Sequence, residues 1–456
     1  MSDSETNAQN LPALLEKLRD PAFIPGARVV ERTFAELTTL RIGGAPAAVV
    51  ACSEPSSLAS VVSLLDANSI PLLVLGGGSN LVIGEGDEVS ELVVVWAVDS
   101  ASEISIDAET GVVRAFAGVN FDQLVAATVE AGLSGLECLS GIPGSVGATP
   151  VQNVGAYGAE VSQVLRRVQL FERGAVGAGA GDAGSGAAAD LQWVSPESLD
   201  LSYRYSNLKF TQRAVVTAVE FQLGTDGLSV PLRFGELARK LGVAEEDARA
   251  GNADARRPVA QVREAVLELR AGKGMVLNPD DHDTWSAGSF FTNPIVEGEE
   301  VRNAVIAAVR EKCGEEKANS MPVFSAGRGG AAEDDAVKNR AVKNPTVKSA
   351  NVDSADVKNP AVDSVSANAG VERFKFSAAW LIDNAGFSKG YAVPGHESAA
   401  LSSKHTLALT NRGSATSADI IALARSVRDG VHDAFGVTLE PEPVWIGARL
   451  DKPVNQ

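Results

Sequence analysis

The chain of 456 residues carries 40 Lys plus Arg against 58 Asp plus Glu, a formal net charge of −18, with 45% hydrophobic and 21% charged residues. This is the composition of a globular protein, long enough for about three domains. The acidic excess excludes general binding to nucleic acid or anionic membranes, which needs a basic footprint. Three scattered cysteines (Cys52, Cys138, Cys313) and four unclustered histidines (His282, His396, His405, His432) argue against a disulfide framework or a metal site. The polar start MSDSETNAQN is not a signal peptide, and no apolar run approaches the ~20 residues of a membrane helix. A cytoplasmic protein acting as a monomer is expected.

Residues 1–10 read as a disordered tail and 11–18 as a short helix ended by Asp20-Pro21. Strands are expected at 47–52 and 72–75, with a helix over 56–68 between them, because Leu58, Val61, Val62 and Leu65 recur at helical spacing. Residues 91–98, 104–107 and 112–118 read as antiparallel strands separated by turns. A helix follows at 121–131, with Asn120 as its N-cap and Gly132 as its stop. Residues 174–190 are rich in Gly and Ala and read as a loop between strands. Beyond 230, helices are expected at 234–241, 257–271, 299–312, 377–384 and 417–435. From Ser325 to Gly370 valines recur every five residues, from Val337 to Val362, among polar neighbours and Pro345 and Pro360; this composition reads as a disordered insertion.

Five segments carry chemistry. Residues 71–84, PLLVLGGGSNLVIG, run a buried strand into Gly76, Gly77 and Gly78, then Ser79, Asn80 and Leu81. Successive glycines let backbone N–H groups form an anion nest, although neither a dinucleotide fingerprint nor a P-loop is present. Residues 141–160, GIPGSVGATPVQNVGAYGAE, are too rich in glycine for helix or strand throughout. A long uncharged loop of this kind suits a wrapping contact with an extended cofactor, with Ser145, Gln152 and Asn153 as donors. In YRYSNLKF (203–210) Arg204 sits between aromatics, suited to recognising a carboxylate or stabilising developing negative charge. In AGSFFTNP (287–294) Ser289 offers one hydroxyl in an apolar wall, outside any hydrolase elbow. In LEPEPVWIG (439–447) Glu440 and Glu442 alternate onto one side of an extended segment. Each segment alone is open to a purely structural reading.

Their order along the chain is more specific. TTLRIGG, LGGGSNLVI, GIPGSVGATPVQNVGAYG, YRYSNLKF, GSFFTNP, WLIDNAGFSKG, SSKHTLALTN and LEPEPVWIG together resemble the UDP-N-acetylenolpyruvoylglucosamine reductases, also called UDP-N-acetylmuramate dehydrogenases. The resemblance runs over about 31–322 and 374–447. It implies an α+β fold: a two-part FAD-binding domain of the vanillyl-alcohol-oxidase type plus a C-terminal α+β substrate-binding domain. On that basis the tail and first helix cover 1–28. The FAD-binding domain covers 29–228 and splits near 85–90. The substrate domain covers 229–450, interrupted by 325–370.

The resemblance also implies non-covalent FAD, NADPH as reductant, and reduction of UDP-N-acetylglucosamine enolpyruvate to UDP-N-acetylmuramate for peptidoglycan, cell shape and division. Gly76, Gly77, Gly78, Ser79, Asn80 and Leu81 match the family's FAD loop. So do Ile142, Pro143, Gly144, Ser145, Gly147, Asn153, Gly155, Ala156, Tyr157 and Gly158. Arg204 matches its catalytic Arg, Ser289 its proton donor and Glu442 its catalytic acid. Asn293, Phe234 and Lys273 are the expected substrate contacts. Phe234 stands where members with the longer substrate domain commonly have a Tyr, so a hydrogen bond is lost there. Two rivals remain: an FAD-linked oxidase of the same fold, and a non-catalytic UDP-sugar-binding flavoprotein.

Overall fold

The computed structural model describes residues 3–98, 104–174, 190–328 and 370–450. The chain forms two compact units. The first takes the chain up to Thr39, then Gly44–Ser79 and Glu85–Leu277; the second takes Leu40–Gly43, Asn80–Gly84 and everything from Asn278 onward. The expected boundary at 228/229 thus differs from the division, which falls after Leu277. The reason is packing: helix Val259–Gly272 buries Val262, Ala265 and Val266 in the core of the first unit.

Two sheets build the first unit. One has four strands in the spatial order Ala27–Val30, Ala48–Cys52, Val93–Ala97, Leu72–Leu75. The first pair is antiparallel and the other two are parallel. Helix Pro55–Ala67 buries Leu58, Val61, Val62 and Leu65 as its spacing predicts. Val93–Ala97 corrects the expectation of an antiparallel run with 104–107 and 112–118. It is a central strand with parallel partners on both sides, and the unbroken VVVWA is what burial of both faces selects.

Ile104–Asp107 and Val112–Phe116 belong to the second sheet. Its order is Leu191–Val194, Leu165–Glu172, Ala214–Gln222, Val112–Phe116, Ile104–Asp107, antiparallel throughout. One apolar core joins both sheets and contains Cys52 and Cys138. Burial pushes the Cys52 thiol up to about 12, and burial with the nearby Glu137 charge raises Cys138 as well. The N-terminal helix spans Asp3–Arg19, so the tail expected at 1–10 is corrected. Residues 3–10 carry no apolar stripe; a helix anchored through buried Leu14 and Leu18 propagates back across them.

The second unit packs helices Glu299–Cys313, Ala378–Ala385 and Ser417–Phe435 around their own core. Ser417–Phe435 starts at a capping box between Thr416 and Asp419 and stops at Gly436 with φ 68°. A three-stranded sheet runs Ile295–Glu297, Glu372–Phe376, Val323–Arg328, and Arg328 pairs with Glu372. The insertion therefore does not begin at Ser325, where the chain is still a strand; residues 329–369 lie outside the described residues, as do 175–189 of the Gly/Ala-rich segment. Ala399–Leu401 pairs with Leu409–Asn411, and Leu81–Ile83 pairs in parallel with Val444–Ile446. Among the described residues no helix is long and apolar enough to cross a membrane.

Candidate active site

The two glycine-rich segments, far apart in sequence, pack on one another in the first unit. A Cβ on Gly77 would lie 2.6 Å from the Gly144 Cα and 2.8 Å from its carbonyl carbon. One on Gly76 would collide with the Ser145 hydroxyl, and one on Gly144 would lie 2.7 Å from the Ser79 Oγ. Gly78, at φ 58°, turns the chain against the backbone of Leu37 and Thr38, and its carbonyl accepts from Thr39 N at 3.1 Å. The glycines are thus demanded by backbone-to-backbone approach.

Ile142 N donates to Leu139 O at 3.3 Å, Pro143 continues the turn, and Gly147 N donates to Ala117 O at 2.9 Å. Asp122, invisible in the sequence pattern, ties this loop down by accepting from Gly141 N at 2.6 Å while pairing with Arg263 at 2.6 Å. Among the described residues, the N–H groups of Gly76, Gly77, Gly78 and Ser79 meet no acceptor. A run of such donors in a tight turn is the chemistry that holds a pyrophosphate, so these residues fit the expected FAD.

Gly155–Ala156 pairs with Ala159–Glu160 as a two-residue hairpin. Tyr157 and Gly158 at its tip have φ 50° and 85°, the geometry of a type I′ turn. That turn sets Tyr157 edge-on to Phe234, with ring centroids 5.3 Å apart. Lys273 Nζ lies 5.9 Å from the Tyr157 ring and 2.5 Å from Glu236. The structure therefore gathers Tyr157, Phe234 and Lys273. Arg204 bonds the Gly155 carbonyl, lies 3.4 Å from Asn153 O and 4.0 Å from Glu160, and is 18% exposed. Asn153 lies inside the loop. Its amide donates to Glu160 at 2.9 Å and to Ser202 O at 3.0 Å, accepts from Ser162 N at 3.1 Å, and is buried. Those bonds shape the loop beneath Arg204.

In the second unit, the segments that carry Ser289 and Glu442 are paired through the backbone of Phe290. Phe290 N donates to Leu407 O at 2.8 Å, and Phe290 O accepts from Glu442 N at 2.9 Å. Phe290 and Phe291 are fully buried beneath them, and Trp445 packs 5.9 Å from Phe290. Ser289 follows Gly288, at φ 75°, and is half-buried. Glu440 is exposed while Glu442 is half-buried, so the two carboxylates are not equivalent. Asn80 receives Val444 N at 2.9 Å and reaches Glu442 O at 3.4 Å, which ties the end of the first glycine motif to the Glu442 strand. Leu81 begins the strand paired with Val444. Asn293 accepts from Ala378 N at 2.9 Å, anchoring helix Ala378–Ala385.

Asp283 is a site residue that sequence reasoning missed. It accepts from Ser403 N at 2.9 Å, from the Ser403 hydroxyl and from Arg412 at 2.8 Å, while neighbouring Asp281 pairs with Lys404 at 2.6 Å. The segment leading into Ser289 is thereby clamped to 402–412. Burial works to raise the Asp283 pKa, but the Ser403 bonds and the Arg412 charge outweigh it and bring it from 3.8 to about 2. Because the folded value is depressed, the stabilisation is complete above the unfolded pKa and is lost as pH falls from about 4 towards about 2. Asp283→Asn should lower stability at neutral pH by about 1–3 kcal/mol, the cost of a weakened buried bond to charge. It should also flatten the acid limb of a urea-midpoint-against-pH profile; an unchanged profile would show that the clamp contributes nothing.

A glycine amide nest in one unit, and the paired segments of Ser289 and Glu442 in the other, fit a flavin-dependent oxidoreductase with an FAD-binding domain and a C-terminal α+β domain. The comparisons agree. Residues 46–174 match the family described as FAD binding domain, and residues 279–446 match UDP-N-acetylenolpyruvoylglucosamine reductase, C-terminal domain. The UDP-N-acetylenolpyruvoylglucosamine reductase of Corynebacterium jeikeium is 60% identical, covering 99% of this chain and 100% of the relative. That of Mycobacterium ulcerans is 42% identical over 94% and 98%. The crystal structure of the Thermus caldophilus reductase shares the fold, at 21% identity and TM-score 0.52, over 92% of this chain and 99% of that one.

The chain belongs to the UDP-N-acetylenolpyruvoylglucosamine reductase family. It is an FAD-dependent oxidoreductase of peptidoglycan precursor synthesis that draws on NADPH, which decides against both rivals.

Proposed function

We propose that Arg204, Ser289 and Glu442 carry the reduction of UDP-N-acetylglucosamine enolpyruvate to UDP-N-acetylmuramate. The flavin, when bound, supplies the hydride relay from NADPH to the terminal vinyl carbon. As hydride arrives there, negative charge develops over C2 and the adjoining carboxylate. Arg204, its guanidinium positioned by the Gly155 and Asn153 carbonyls, is suited to steady that charge. Glu442 assists as a hydrogen-bond donor when protonated or through a water. Ser289 gives its proton to C2 and regains one from solvent. The observation that carries this reading is the guanidinium of Arg204 held at the Gly155 and Asn153 carbonyls, beside the glycine-rich hairpin. Phe234, Lys273 and Asn293 hold the nucleotide, and the amides of 76–79 and the 141–158 loop hold FAD. We place the enzyme in the cytoplasm, where NADPH and nucleotide-linked precursors are made, serving wall growth in cell shape and division.

The test is oxidation of NADPH that depends on the enolpyruvyl nucleotide. The wild type should show it, and Arg204→Ala and Glu442→Gln should lose on the order of 10²-fold or more in turnover while keeping flavin. Undiminished turnover in either variant would remove that residue from the mechanism.

A further inference from the structure

Arg204 is in a backbone conformation that its side chain does not favour. Ser202 and Tyr205 exchange two hydrogen bonds of 3.1 Å across a tight turn, and Arg204 occupies that turn at φ 58°. Glycine or asparagine is the usual resident of such a position, and an arginine stays there only where its surroundings over-determine it. Phe210 and Gln212, further along the segment, are also left-handed. On the side-chain end, the guanidinium is fixed by Gly155 O, Asn153 O and Glu160. On the backbone end stands Lys209. Its ammonium reaches the Arg204 carbonyl at 3.5 Å and lies 5.1 Å from the Phe210 ring, and the residue is 7% exposed. A lysine is rarely buried so deeply without specific compensation. Ser206, fully buried, bonds Val151 O at 2.5 Å and receives Leu208 N at 3.2 Å, which fixes the loop that delivers Lys209 to this carbonyl.

We propose that Lys209 is a positioning residue for Arg204: its buried ammonium holds the carbonyl of the left-handed turn and so fixes where the guanidinium points. Removal of that donor leaves the 204–205 peptide held at its N–H, by Ser202 O, and so weakens the hold on the left-handed turn and lets the guanidinium shift away from Gly155 and Asn153. The inference rests on the reading that Arg204 steadies charge during reduction of the enolpyruvyl group.

The experiment uses full-length, flavin-loaded enzyme and follows flavin absorbance by stopped flow, with flavin occupancy and melting temperature recorded for every variant. Arg204→Ala comes first; if it fails to slow reoxidation by the enolpyruvyl nucleotide, the reading of Arg204 itself falls. Given that it does slow reoxidation, Lys209→Met should slow the same half-reaction by about 10–100-fold, the scale of a misplaced group. Flavin reduction by NADPH should stay within about twofold, and Lys209→Gln, which keeps an N–H donor, should restore most of the rate. In the Arg204→Ala background, Lys209→Met should cost less than about twofold more, since coupled residues are non-additive. The proposal is overturned by a wild-type reoxidation rate in Lys209→Met, by an equal loss with Arg204 absent, or by loss of folding or flavin in both Lys209 variants, each of which would make Lys209 a residue of general stability.

Discussion

Ser289→Ala should keep its FAD and be bleached by NADPH at close to the normal rate, yet be reoxidised by the enolpyruvyl nucleotide on the order of 10²–10⁴-fold more slowly, the usual worth of a positioned acid. The asymmetry follows from where the proton is needed. Hydride transfer from NADPH requires nothing from the serine hydroxyl, whereas C2 must be protonated after hydride reaches its neighbour. The backbone on both sides of Phe290 is held by Leu407 and Glu442, so deleting one oxygen from Ser289 should leave the segment in place. Ser289→Cys should retain more activity, because a thiol still donates. Solvent deuterium should appear at C2, and label from the nicotinamide at C3. Slowed flavin reduction with unchanged reoxidation would move Ser289 to the NADPH step instead.

Gly77→Val should purify with little flavin and melt at a lower temperature. A valine Cβ at this position meets the Gly144 Cα at 2.6 Å, its carbonyl carbon at 2.8 Å and Ser145 N at 3.2 Å, all backbone atoms with no flexible end to yield. The two loops must part, and the amides of 76–79 lose the arrangement that suits a pyrophosphate. Cofactor present at about 100 times its Kd stabilises by about 2.7 kcal/mol, which is the stability forfeited when it no longer binds. Melting both proteins without flavin separates the two causes: a variant that melts with the flavin-free wild type has lost only the cofactor, and one that melts lower has lost loop packing too. Full FAD occupancy in Gly77→Val would remove the phosphate-binding reading of the turn.

Much of the site was legible because its chemistry is local in sequence. Gly76–Gly78 and Gly141–Gly158 announce irregular backbone by composition, and Ser289 and Glu442 lie in short motifs. What pattern could not convey is mutual placement. The close approach of Gly77 to Gly144 spans more than sixty positions, and each glycine looks equally free until the other is seen. Asp283 was missed for the same reason: its partners Ser403 and Arg412 lie far along the chain, and an aspartate among DDHD reads as a solvated turn. Nor does pattern convey the bonds Asn153 makes within its loop, since an amide in a glycine-rich segment suits a ligand as well as it suits the loop's own backbone. Val93–Ala97 shows the limit of period-based reading, because an unbroken apolar run fixes burial but not the direction of its partners. The left-handed backbone at Arg204 has no sequence signal at all.

The buried thiols of the first unit bear on how such an enzyme ages. A reduced flavin that meets dioxygen instead of its substrate yields peroxide, and peroxide oxidises thiolates rather than thiols. Cys52 and Cys138 are shut in the core, and burial holds both firmly protonated, so neither presents a thiolate to the oxidant. Cys313, half-buried at the end of its helix with Sγ 3.5 Å from Asn384 O, is the thiol that an oxidant or a labelling reagent reaches first. Thiol oxidation from idle turnover in air should therefore begin at that helix end, with Cys52 and Cys138 still reduced.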